Sequence, residues 1–171
     1  PYSHIHSPGI AVGGHCIPIY PQMYLWNDPS ASIVAAARLV NTSMPRYAVE
    51  MIHSMAGPLT GKKVAILGAS YRGNVKETAF SGIFPLVDEL QSRGAEVFVS
   101  DPYFNKDELA ALGLNEYVVG DPVSVVIVQA DHQSYRQLKE SNFPGAELVF
   151  DGRDILTKEF FIHVKFRRLN S

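Results

Sequence analysis

At Gly61 the period of the apolar residues changes, and the pattern from there to residue 157 suits few folds other than an α/β sheet. Residues 63–67 (KVAIL) form a short β-branched run ending at Gly68, and 96–100 (EVFVS) a second ending at Asp101-Pro102. Residues 123–129 (VSVVIVQ) and 147–150 (ELVF) read as two more strands. Helical spacing of apolar residues fills 80–92, and short helices fit 106–112 and 134–139. Nearly continuous apolar strands alternating with helices predict a Rossmann-like parallel sheet covered on both faces. The stretch after Thr157 carries no pattern, and Phe166-Arg167-Arg168 reads as a frayed end.

Upstream of this unit the chain has a different character. Residues 1–27 are rich in Gly, Pro and His, have no sustained period, and read as a loop region. Asp28-Pro29 gives a helix start, a capping carboxylate before a proline suited to the first turn. Ile33, Ala37, Val40, Met44, Tyr47, Met51 and Met55 then recur every three or four positions. That is one apolar stripe along a helix of up to about 27 residues, or ~40 Å. Pro45 is expected to bend or split it, and Gly57-Pro58 to end it. So long a stripe predicts a partner surface, most simply a second copy of the chain. The expected organisation is therefore a loop and helix over 1–58, an α/β domain over 59–157, and a tail over 158–171.

Composition narrows the function classes. The 171 residues carry a formal charge of −2, which offers nucleic acid or an anionic membrane no electrostatic handle. No apolar run reaches a bilayer span, and Pro1-Tyr2-Ser3-His4 has no signal-peptide pattern. The lone Cys16 excludes an intrachain disulfide framework and a multi-cysteine metal site, and points to the cytoplasm.

Two motifs carry chemistry. Gly68-Ala69-Ser70-Tyr71-Arg72-Gly73 follows a strand and matches G-x-G-x-x-G except at Ser70. Small residues there let backbone N–H groups approach a pyrophosphate, and Asp101 could accept from a ribose hydroxyl. A tight strand-to-helix turn with no ligand explains Gly68 and Gly73 equally well. Gly13-Gly14-His15-Cys16-Ile17-Pro18 is more specific. Two glycines let the backbone wrap a substrate closely, and a cysteine can trap an aldehyde as a thiohemiacetal. The alternative is a small buried hydrophobe at Cys16. His15 could assist the thiol as a neighbouring cation or merely pack the loop.

Residues 7–18, Ser7-Pro8-Gly9-Ile10-Ala11-Val12-Gly13-Gly14-His15-Cys16-Ile17-Pro18, resemble the active-site loop of the UDP-glucose/GDP-mannose dehydrogenase family. Ala37-Arg38-Leu39-Val40-Asn41-Thr42-Ser43-Met44-Pro45 resembles its central dimer-building helix, and residues 62–78 (KKVAILGASYRGNVKET) the opening of its nucleotide-sugar-binding domain. Asp151-Gly152-Arg153 resembles its closing motif. The resemblance spans residues 5 to about 157. It implies a nucleotide-sugar 6-dehydrogenase, which oxidises the sugar C6 alcohol to a carboxylate with two NAD reductions. It also implies that this domain holds the UDP-sugar, while NAD sits mainly on an amino-terminal domain that these residues do not contain. Cys16 aligns with the nucleophile, and Gly13 and Gly14 with the lining of the sugar pocket. Tyr71 and Arg72 align with an aromatic-basic pair beside uridine and phosphates, and Arg153 with a phosphate-side arginine. Solvated surface charge is the alternative for Arg72 and Arg153. For Arg38 and Asn41, capping and dimer packing stand beside a site role.

The chain departs from the family pattern in three places. Tyr20 stands where the family has an Asp that assists thioester hydrolysis, and a tyrosine is a poor base at neutral pH. Thr78-Ala79-Phe80-Ser81-Gly82 replaces Thr-Arg-Glu-Ser-Pro, so the arginine that reaches toward NAD is absent at Ala79. The family's lysine acid-base lies upstream of residue 1. The loop reads GGHC rather than GGSC, which favours N-acetylated sugars over UDP-glucose. Two rivals remain: a nucleotide-sugar-binding dimer module without turnover, and an NAD-binding domain of unrelated chemistry.

Overall fold

A computed structural model describes residues 8–170. Two helices, α1 (Cys16–Asn27) and α2 (Ser32–Ala56), precede a unit in which five strands alternate with helices and turns. These are β1 (Lys63–Leu67), α3 (Ile83–Ser92), β2 (Glu96–Ser100), α4 (Lys106–Ala111), β3 (Val125–Val128), β4 (Leu148–Asp151) and β5 (Lys165–Arg168). All strand pairs are parallel, in the order β2-β1-β3-β4-β5. The α/β Rossmann-like expectation is met.

Period-two alternation divides the core between the faces of the sheet. On one face Val64, Ile66, Val125, Ile127, Leu148 and Phe150 meet Ala48, Val49 and Ile52 of α2 and Ile83, Leu86 and Leu90 of α3. On the other, Ala65, Leu67, Val126, Val128 and Val149 meet Tyr135, Phe143 and Phe161. Burying such aliphatic side chains contributes about 1.5–3 kcal/mol each. The second face is covered by aromatic residues of loops and 3₁₀ turns rather than by α-helices. Where a short helix is expected over 134–139, the chain makes a 3₁₀ turn, Gln133–Gln137.

Three expectations need correction. The loop read over 1–27 contains α1, which holds Pro21 internally and is apolar on every side, so no stripe betrays it. Asp28 does not cap α2. Its carboxylate accepts from Ser30 N–H at 3.1 Å and Ser30 Oγ at 2.5 Å, and α2 begins at Ser32 with no side-chain cap. The segment after Thr157 is no frayed tail, since β5 pairs with β4 from Lys165 opposite Leu148 to Arg168 opposite Asp151.

Helix α2 passes through Pro45 without interruption and buries Pro45, Ala48, Val49 and Ile52. The apolar stripe noted in the sequence is a different face. Met51 and Met55 pack at the edge of the core, while Ile33, Val40 and Tyr47 stay exposed. Among the described residues, no helix is long and apolar enough to cross a membrane.

Candidate functional site

Strands β1 and β3 are neighbours whose chains continue in opposite directions across the sheet, β1 toward β2 and β3 toward β4. Ligands of open α/β sheets favour the crevice beyond the carboxyl ends of such a pair. Here that crevice is filled by the chain itself. Asp101, at the end of β2, is buried and accepts from Ala69 N–H at 2.8 Å, Ser70 N–H at 3.1 Å and Tyr103 N–H at 2.9 Å. His132 is fully buried, with Nε2 3.0 Å from the same carboxylate. Its Nδ1 faces Asn74 N–H at 3.1 Å and must accept there, so the ring proton sits on Nε2 and is donated to Asp101. Burial works to raise the Asp101 pKa, but the His132 bond and the Tyr103 N–H outweigh it. Its carboxyl is held below the ordinary range.

Three more donors of this turn are also engaged. Gly68 N–H donates to Ser100 O at 2.7 Å, Tyr71 N–H to Glu77 O at 3.0 Å, and Gly73 N–H to Asp131 Oδ1 at 2.9 Å. No helix opens at Gly73, since α3 begins only at Ile83. Five of the six backbone donors of residues 68–73, all but Arg72 N–H, therefore bond within the protein rather than face a diphosphate. Gly68 and Gly73 serve the tight turn, and Gly73 lies against the Asp131 backbone with no space for a side chain. Asp101, considered above as a ribose acceptor, is committed to that turn.

Cys16 is the first residue of α1 and is exposed, so it does not behave as a buried hydrophobe. The loop before it lies flat on Tyr71. Gly14 adopts φ +90°, open to glycine, and donates its N–H to Ala79 O at 2.8 Å. A Cβ at Gly13 would stand 2.6 Å from Phe80 O and 2.8 Å from Tyr71 Cβ, and neither can retreat cheaply. His15 faces Glu77, Nε2 to Oε2 at 3.3 Å, and so ties the loop down. The Ala79 N–H and His15 hold the exposed Glu77 carboxyl below its usual range. Tyr20 is exposed one turn after Cys16, on the same face of α1.

The basic residues flank this loop. Arg72 is exposed, donates Nε to Tyr71 Oη at 3.1 Å, and holds its guanidinium 5.7 Å from that ring. Arg153 is mostly buried and pairs with Asp131, Nη2 to Oδ1 at 3.1 Å. Its Nε is buried without a hydrogen-bond partner, an arrangement native proteins seldom leave unused. Burial opposes ionisation of Asp131, yet the Gly73 N–H and the Arg153 charge prevail and depress its pKa. The turn carrying Arg153 is set by Asp151, fully buried, which accepts from the N–H groups of Arg153, Ile155 and Leu156 at 2.8–3.1 Å. Gly9 lies directly over the Arg153 guanidinium. The structure thus brings Gly13 and Gly14 onto Tyr71, which carries Arg72 at its ring, and the start of the same loop onto Arg153. Residues 1–7, including Ser7 of the loop motif, lie outside the described residues.

Sequence reasoning passed over Asp131 and His132, and quoted Glu77 and Asp151 only within longer motifs, without a role. A usable signal existed for two of them: Gln129-Ala130-Asp131-His132 puts ionisable groups straight after an all-apolar strand.

Comparison with known proteins gives the family and the fold. The model of the UDP-glucose/GDP-mannose dehydrogenase family, UDP binding domain, matches residues 65–158. The chain belongs to that family. It is 31% identical over 94% of its length to a UDP-N-acetyl-D-mannosamine dehydrogenase of Methanocaldococcus jannaschii, covering 38% of that protein. It is 29% identical over 90% of its length to an NDP-N-acetyl-D-galactosaminuronic acid dehydrogenase of Ralstonia nicotianae, covering 37% of it. The UDP-D-ManNAc dehydrogenase structure from Pyrococcus horikoshii superposes with TM-score 0.81 at 26% identity, covering 99% of this chain and 41% of that one. The chain thus spans about two-fifths of the length of the proteins it resembles.

Proposed function

We propose that this chain is the carboxy-terminal part of an NAD-dependent nucleotide-sugar 6-dehydrogenase acting on a UDP-N-acetylhexosamine. The carrying observation is the exposed Cys16 on a loop that Gly13 and Gly14 mould onto Tyr71, with Arg72 on that ring and Arg153 under the loop's start. Several relatives are named for UDP-N-acetyl-D-mannosamine, which supports the sugar class. In this reading Arg72 and Arg153 grip the diphosphate, a task suited to planar guanidinium donors, and the Arg153 Nε finds its missing acceptor. The Cys16 sulfur adds to the C6 aldehyde carbon and holds it as a thiohemiacetal. After the second oxidation the carbon remains as a thioester, which water cleaves to the uronate. The start of α1 lends positive potential to the oxygen that gains charge in the addition.

NAD does not fit the 68–73 turn, because the Asp101 carboxylate occupies the N–H groups a dinucleotide diphosphate would need. Its site is assigned to residues outside this chain, and with it the hydride transfers. A second copy of the chain on α2 and a cytoplasmic setting complete the proposal.

A binding module without turnover is the second reading. Tyr20 favours it, standing on the cysteine's helix face where a carboxylate is expected. A UDP-sugar carrying a ¹³C-labelled C6 aldehyde separates the two. A hemithioacetal resonance in the wild type and none in Cys16→Ser supports the enzyme. Saturable binding with no adduct in either protein supports the module.

A further inference from the structure

We infer that Asn41 is the positioning residue for the cysteine loop, anchoring it to the long helix through both backbone polar groups of a single loop residue. This rests on the proposal that Cys16 is the nucleophile. Asn41 lies in the middle of α2, where its side chain caps nothing. Its Oδ1 accepts from Val12 N–H at 2.8 Å and its Nδ2 donates to Val12 O at 3.2 Å. The amide therefore stands in for a neighbouring strand, satisfying the donor and acceptor of one loop residue at once. Two bonds to one residue fix orientation as well as distance, which a single bond does not.

What surrounds this clamp gives it weight. Between the loop and α2 runs a cleft of about 320 Å³ lined by Ala11, Val12, Pro18, Arg38, Asn41 and Phe80, among others. Side-chain packing does not fill this gap, so beyond Ile10, which is buried in the core, the loop is not wedged in place on its helix side. Val12 itself is half exposed. On its far side the loop is held by the Gly14 N–H bond to Ala79 O and the His15–Glu77 contact. Cys16 follows within the next turn of chain. The loop thus spans from α2 to the 77–80 segment like a bridge, with Asn41 as one abutment and Ala79 as the other. Ile10 stays anchored in the core, so loss of the Asn41 abutment frees the Ala11–Gly14 stretch to shift over the cleft and moves Gly13 and Gly14, with the start of α1 behind them, relative to Tyr71. The same link makes any movement of α2 felt at the thiol.

Amide hydrogen exchange on the 171-residue chain tests this with two variants. Asn41→Leu removes both bonds at similar size. Asn41→Asp keeps the acceptor for Val12 N–H but, ionised at neutral pH, cannot donate to Val12 O. The decisive amide is Gly14, whose bond goes to Ala79 and not to Asn41. We expect its exchange to quicken at least tenfold in Asn41→Leu and by less in Asn41→Asp. Ile52 in α2 and Ile66 in β1 should stay within twofold of wild type, and UDP affinity should be unchanged. Faster exchange at Val12 alone, with Gly14 unaltered, overturns the inference, because the clamp is then purely local. Uniform acceleration across Ile52 and Ile66 also overturns it, making Asn41 a general stability residue. Exchange says nothing of thiol chemistry, so a failed Cys16 adduct leaves this result standing, and a failed exchange result leaves the adduct standing.

Discussion

Asp101 is bound to His132 across the switch point of the sheet, Oδ2 to Nε2 at 3.0 Å, and the same oxygen takes the N–H groups of Ala69 and Ser70. An anion therefore does sit on this Gly-rich turn, but it is the protein's own. It is fixed on its other side by a buried imidazole whose second nitrogen holds Asn74 N–H. A phosphate brought to the same donors would displace a carboxylate and meet its charge. The family's glycine-rich opening is here a turn bonded within the protein, which leaves Tyr71 and Arg72 on its outer side.

Removal of that internal anion should be costly. Asp101→Ala leaves two buried N–H groups and the His132 ring without their acceptor, and should cost about 3–5 kcal/mol. Urea denaturation measures it. A loss below ~1 kcal/mol, the size typical of an exposed pair, would show that the turn does not depend on Asp101.

The same pair predicts an acid dependence. The native pKa of Asp101 is depressed below its unfolded value, so its stabilisation is fully present above the unfolded value and lost as pH falls through the native one. Stability should drop on acidification below about pH 4, the region of an ordinary carboxyl. Asp101→Asn should flatten that part of the profile. Identical acid limbs for the two proteins, by denaturant titration across pH 2–6 (roughly the carboxyl range), refute the assignment.

The sequence and the structure part company for local reasons. Residues 64–67, 125–128 and 148–150 show as strands because burial on both faces leaves only apolar residues there, while the edge strand 96–100 shows by its alternation, with Val97 and Val99 buried and Glu96 exposed. Strand β5 is hidden because Lys165, Phe166, Arg167 and Arg168 lie on an open edge and are only partly covered. Helix α1 is hidden because Pro18 and Pro21 read as breakers and its apolar residues surround it. At the site, the cysteine loop and the Tyr71-Arg72 pair stand out as motifs in the string. Asp131 and His132 are marked in the string only by their place straight after an all-apolar strand, and their partners, Gly73, Asn74 and Asp101, become neighbours only once β3 is set beside β1.

Ligand preference is set by where the donors went. UDP should bind the chain and NAD should not, and Arg72→Ala and Arg153→Ala should each weaken UDP by about 1.5–3 kcal/mol, ten- to a hundredfold. Arg153 also neutralises Asp131, so Arg153→Lys is the control that keeps charge but loses the fork. Calorimetric titration decides. Tighter binding of NAD than UDP, or unaltered UDP affinity in both alanine variants, removes both arginines from the site.

The chain by itself should produce no NADH from any nucleotide sugar. One nucleotide-type fold is present among the described residues, and its turn is closed to a dinucleotide by Asp101. A spectrophotometric assay at 340 nm (about the absorbance maximum of the reduced nicotinamide that a hydride transfer yields) reads this directly. Turnover that disappears in Cys16→Ser would mean that the hydride acceptor is held by these residues after all.

Self-association should run through the first part of α2. Ile33, Leu39, Val40 and Tyr47 are 84%, 70%, 58% and 50% exposed, and α1 adds Met23, Tyr24 and Trp26 at 61%, 55% and 89%. Monomeric proteins rarely show water so continuous an apolar surface. The buried face of α2, Ala48, Val49 and Ile52, already packs on the sheet, so the exposed face is the one open to a second copy. Sedimentation should report a dimer at tens of micromolar, roughly the range where weak dimers dissociate. Val40→Glu should shift it to monomer, since a charge in the seam must be desolvated without a partner. The fold itself should lose no more than about 0.5 kcal/mol, because the position is exposed in the single chain. A wild type that sediments as a monomer at that concentration sinks the dimer. A Val40→Glu protein that remains dimeric moves the interface off this helix face.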